Sequence, residues 1–136
     1  MRVLSTLTVL VAVAVTAPTL TAQSQPSGTL KSQLRNLVVA QESYYADHGT
    51  YTTDVSALGL YKRRPPGAPM TAADSVWVQV VQAGGRSWWG RASHRAFSGK
   101  SCVIYVGVTE DFPAPPATDG QQVKAQNEGE PICDAF

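Results

Sequence analysis

Charge is scarce in this chain. Its 136 residues carry 11 Lys and Arg against 10 Asp and Glu, a formal net charge of +1. That balance removes the bulk electrostatic drive toward nucleic acid or a membrane surface. Histidine is scarcer still: His48 and His94 stand far apart, with no Glu-x-x-His or His-x-x-x-His spacing, so neither a metal site nor a cofactor is implied. No serine lies in Gly-x-Ser-x-Gly or Ser-x-x-Lys. Ser98-Gly99-Lys100-Ser101 ends like a phosphate loop but lacks the first glycine, and a strand follows where a helix is required. No catalytic constellation is left, and the chain reads as a non-enzyme. The only cysteines, Cys102 and Cys133, form no C-x-x-C and have no helix start nearby to lower a thiol pKa. Long apolar runs are missing as well. Residues 3–15 are the longest, short of the ~20 that a membrane-spanning helix needs.

The N-terminal 22 residues have the make-up of a secretion signal. Arg2 opens it, residues 3–15 are its apolar stretch, and residues 16–22 are a small-residue exit containing Pro18. Cleavage after Ala22 leaves Gln23 first and places the protein in the periplasm or outside the cell, with no transmembrane segment. Residues 23–136 then suffice for one domain, and a 43% hydrophobic content marks it as globular. In an exported chain the two cysteines are expected to pair, tying the C-terminal tail to the domain.

The domain opens with an amphipathic helix capped by Thr29 or Ser27 and ended by Gly49. Leu30, Leu34, Leu37, Val38, Gln41, Tyr44 and Tyr45 form its apolar stripe, and Tyr45 is expected to be buried between helix and loop. Three strands follow, over 75–83, 87–94 and 101–108. Val76, Val78 and Val80 alternate with Trp77, Gln79 and Val81, and Trp88, Gly90 and Ala92 alternate with Trp89, Arg91 and Ser93. A two-residue turn at Gly84-Gly85 pairs Val78 with Arg91 and buries the arginine. A three-residue loop through Arg86 pairs Val78 with Ala92 and Val80 with Gly90, which keeps one face apolar, and is preferred. Gly90 and Ala92 are small enough to let the helix close on the sheet. Residues 107–133, rich in Pro, Gly and Asp, read as loop with one short edge strand at most.

The pattern L...L..L..AQE.YYADHGTYT.D...LGL, over residues 30–60, resembles the exposed half of the first helix and the following loop of type IV pilins and pseudopilins. The resemblance implies an α+β head domain: a long N-terminal helix on a small antiparallel sheet, the pair Tyr44–Tyr45 anchoring helix to loop, and a disulfide-stapled C-terminal region. It also implies a module that works through protein partners or self-association in a surface assembly, in adhesion or in secretion. The chain differs from that family in its first 22 residues, which contain neither the Gly-Phe/Glu leader junction nor the long apolar helix behind it.

One surface stands out. Trp77, Val81, Trp89 and Arg91 fall on the sheet face away from the helix. Tryptophans there mark a partner or ligand surface, for a small molecule, a glycan or DNA, unless the tail covers them as a second small core. Charge admits two readings too. Residues 62–100 are basic and residues 110–134 acidic, so the tail either neutralises the strands or leaves a basic patch for DNA. Asp119, Glu128 and Asp134 lack the tight oxygen spacing of a Ca²⁺ loop.

Overall fold

Pro26 opens helix α1 (Pro26–His48), three residues before the expected Thr29 cap. Proline suits a first helical position, because its missing N–H has no partner there and its φ is already set. The end falls where Gly49 predicts: this residue has φ 70 and donates its N–H to the Tyr45 carbonyl at 2.7 Å. The computed structural model describes residues 26–60 and 75–136, so the signal segment 1–22 and the basic loop at 62–67 lie outside the described residues. The expected long N-terminal helix is thus a helix of 23 residues beginning at Pro26, neither long nor at the N-terminus of the chain.

Four antiparallel strands in the order β1-β2-β3-β4 make the sheet under α1: Val76–Ala83, Trp88–His94, Ser101–Val106 and Ile132–Cys133. The short edge strand expected in the tail is β4. Leu30, Leu34 and Leu37 are fully buried against Val76, Val80, Trp88, Ala92, Cys102 and Ile104, with Val38 and Val78 packed at the margin. A Cβ on Gly90 would lie 2.9 Å from the Gln79 carbonyl oxygen and 3.0 Å from Leu37, so the bare backbone there sets how close the helix sits.

The stripe leaves the core after Gln41, which is fully buried. Tyr45, expected inside, is 36% exposed. In the last turn of α1 the Tyr45 ring packs against Tyr51 of the returning loop, ring centroids 4.7 Å apart. Gln41 holds that loop. Its amide donates to the Thr52 carbonyl at 2.6 Å and accepts from the Thr52 N–H at 3.1 Å, closing a pair of bonds like those of a strand ladder. The loop then makes a 3₁₀ turn at Val55–Leu58, capped by Asp54.

The hairpin register is the expected one, Val78 opposite Ala92 and Val80 opposite Gly90, but the loop that produces it is not. Gly84 donates to Ser87 at 2.9 Å, so the turn has only Gly85 and Arg86 at its tip. The extra residue sits instead in a bulge at Val81, between the Val80–Gly90 and Gln82–Trp89 pairs. The bulge resets the alternation. Ala83 turns toward the core beside Trp88, and the Gln82 side chain donates to the Asp111 carbonyl at 3.1 Å. An unbroken strand would have put Gln82 inside.

Cys102 and Cys133 are bonded and sit directly opposite each other on β3 and β4, Cα atoms 3.9 Å apart. The bridge closes a separation of 31 residues, worth about 3–4 kcal/mol as lost chain entropy of the unfolded state.

Candidate binding site on the open sheet face

The face of the sheet away from α1 is half covered. Over β3 the tail lies close: Val103 is fully buried and Tyr105 nearly so, its hydroxyl donating to the Gln126 carbonyl at 3.2 Å. A small hairpin forms this cover, with Thr118 N–H donating to Val123 at 2.9 Å and Ala125 N–H to Pro116 at 2.9 Å. The cover stops short of β1. Trp77 is 64% exposed, whereas Trp89 is half-buried, so the expected tryptophan pair is divided between the two readings. Val81 is half-buried within the bulge and lines no cleft with Trp77.

Asp134 pins the tail in place. Its buried carboxylate accepts four hydrogen bonds: Oδ1 from the Thr118 hydroxyl (2.6 Å) and the Gln121 N–H (2.6 Å), Oδ2 from the Ser101 N–H (2.9 Å) and the Gly120 N–H (2.9 Å). Burial alone pushes its pKa up, but these donors outweigh that and hold it below the ordinary 3.8. Asp119 stands at the edge of this knot. Its N–H donates to the Ser101 hydroxyl at 2.8 Å, and its side chain pairs with Arg91. The Arg91 guanidinium also lies 5.8 Å from the centroid of Trp89, so it is held from two sides.

Between the tail and the open part of β1 a cleft of about 440 Å³ results, lined by Trp77, Val78, Gln79, Arg91, Ser93 and Asp119. A second hollow of about 310 Å³ shares Trp77, Ser93 and Asp119 and continues past His94 and Arg95 to Lys100. His94 is held by the chain itself, accepting the Ala96 N–H at Nδ1, 3.2 Å away.

Among the described residues, two of the basic side chains pair with the acidic tail and a third bonds its backbone. Arg86 pairs with Asp111 at 3.3 Å, Arg91 with Asp119, and the Lys100 ammonium donates to the Ala135 carbonyl at 2.6 Å. The three carboxylates weighed for Ca²⁺ have other uses: Asp134 is saturated by donors, Asp119 faces Arg91, and Glu128 accepts the Gly107 N–H at 2.8 Å. Among the described residues no group of three His, Cys, Asp or Glu side chains is arranged to hold a metal. His48 closes α1 by donating from Nδ1 to the Tyr44 carbonyl at 2.9 Å and stacking on the Tyr44 ring.

Sequence reasoning placed Trp77 and Arg91 on this face but weighed Asp119 and Asp134 only as Ca²⁺ ligands, not as the residues that give the cleft a defined shape. Asp119-Gly120 does carry a turn signal. Nothing in the sequence shows that this turn folds back to β2 and β3.

A second concave surface lies on the outer side of α1. Val39, 70% exposed, borders a groove of about 500 Å³ with Asn36, Ala40, Tyr44 and Leu58. Among the described residues no helix is long and apolar enough to cross a membrane. Comparison with protein-family models and with curated proteins finds no match.

Proposed function

We propose that this chain is an exported, non-catalytic module of the type IV pilin and pseudopilin kind, acting through protein contacts in a surface assembly. The observation that supports this reading best is the order of parts. One helix and the loop after it carry the AQE.YYADHGTYT signature, an antiparallel sheet receives the helix, and a disulfide joins the last strand to β3. Export agrees with that disulfide and with the signal-like residues 1–22. A head domain without a retained apolar helix has to associate through its folded surface. The outer side of α1 is the surface suited to it, since Val39 stands out beside a concave strip of mixed polarity.

Sedimentation equilibrium of the secreted protein over a wide concentration range tests the proposal. Association that deepens with concentration, and that Val39→Glu abolishes without lowering the melting temperature, supports it. A monomer at every concentration, indifferent to Val39→Glu, overturns it.

A further inference from the structure

We propose that the cleft beside Trp77 is a binding site for a neutral glycan, with a pyranose ring seated on the indole and its hydroxyls on the Arg91–Asp119 pair. This inference goes beyond the assembly reading and stands without it, because it uses the opposite side of the molecule. Four observations lead to it. The Trp77 ring is 64% exposed and flanks a concavity rather than lying on a flat patch. An indole face carries the negative side of its quadrupole outward, and the axial C–H bonds of a sugar ring present a weakly positive, apolar face to it.

The other lining groups complete the match. Gln79 offers an amide, Ser93 a hydroxyl, Arg91 a fan of N–H donors and Asp119 an acceptor, which together serve hydroxyls that both donate and accept. At about 440 Å³ the cleft is in the range of small-ligand sites. The key polar pair is also set beforehand. Arg91 lies over Trp89, and the Asp119 backbone is anchored to Ser101 and, through Gly120 and Gln121, to Asp134. A ligand therefore does not have to order these groups itself.

The same geometry argues against an anion. Asp119 sits in both hollows and neutralises Arg91, the one cation lining the larger of them among the described residues, so a phosphodiester or sulfate there meets a carboxylate. Arg95 and Lys100 lie on the smaller hollow, away from the Gln79 side of the cleft, and the Lys100 ammonium donates to the Ala135 carbonyl. Nucleic acid is the rival that this arrangement disfavours.

Tryptophan emission gives a direct readout. The chain holds three tryptophans, and of these Trp88 is buried and Trp89 half-buried, so acrylamide quenching reports chiefly on Trp77. The probes are an array of neutral oligosaccharides, followed by titration with soluble hexasaccharides of glucose and of N-acetylglucosamine, with an oligo-dT and heparin alongside. The expected result is saturable binding of at least one neutral oligosaccharide that shields Trp77 from acrylamide. Trp77→Ala then weakens binding about tenfold or more at unchanged melting temperature. Asp119→Asn weakens it as well, and Val39→Glu leaves it intact, which separates this site from the assembly surface. No binding on the array overturns the proposal. So does glycan affinity that survives Trp77→Ala. Binding of oligo-dT or heparin, but of no neutral sugar, reassigns the cleft to polyanions.

Discussion

Gln41 and Asp134 show how single buried polar groups set the path of long loops. Gln41 satisfies both backbone groups of Thr52, so Gln41→Met, which keeps the volume and loses both bonds, is expected to cost roughly 2–3 kcal/mol in urea unfolding. A cost below about half a kcal/mol means that water replaces the amide. Asp134 is more exacting, because each oxygen takes two donors. In Asp134→Asn one oxygen becomes an NH₂ that points at two N–H or O–H groups, and a loss of about 3 kcal/mol or more follows. The pH dependence has a definite sign. Because the folded pKa of Asp134 lies below 3.8, its contribution is complete above that value and is lost as pH falls through the folded pKa. Melting temperature should drop on acidification below about pH 4, and Asp134→Asn should flatten that slope. Tyr51 behaves in the opposite sense. Burial, and then its hydrogen bond to Glu42 at 3.0 Å, push its pKa up to about 12. Its contribution is complete below pH 10 and fades as pH rises toward 12, a fall that Tyr51→Phe should remove from the alkaline melting curve.

At the scale of elements the hairpin is the instructive case. Its register was legible, because one alternative buries Arg91, and a charge in the core costs more than any turn preference gains. The bulge was not legible. Val-Val-Gln-Ala contains no glycine to mark it, and the signal is the mismatch between a two-residue turn and the required register. The structure makes a specific prediction from this. Deleting Val81 joins Val80 to Gln82 with both already on their proper faces, so the variant should fold with the Ala83–Trp88 pair intact, read by proton–proton contacts in NMR. Deleting Gly85 instead removes half of the turn and should unfold the hairpin. The α1 stripe was legible as far as Gln41, since a helical period fixes which side chains share a face. It failed at Tyr45 because periodicity carries no information on how far the sheet extends beneath. The tail was illegible in detail for a related reason: its partners are 13 to 33 residues away, and nothing local encodes them.

At the scale of the molecule the two proposed contact surfaces, the outer strip of α1 and the Trp77 cleft, lie on opposite sides of the sheet, and the tail braces only the second. Loss of the Cys102–Cys133 bridge should therefore act unequally. A Cys102→Ala/Cys133→Ala double variant is expected to lose about 3–4 kcal/mol while keeping α1 and its Leu30, Leu34 and Leu37 contacts, which circular dichroism checks. The pairing of Ser101 and Cys102 with residues 133 and 134 also governs when the fold can close. α1, the hairpin and β3 all precede residue 107, whereas Asp134 gathers Ser101, Thr118, Gly120 and Gln121 from 13 to 33 residues upstream, so this knot closes only once residue 134 is in place. Until then the outer side of β3 is bare and the Cys102 thiol is without its mate.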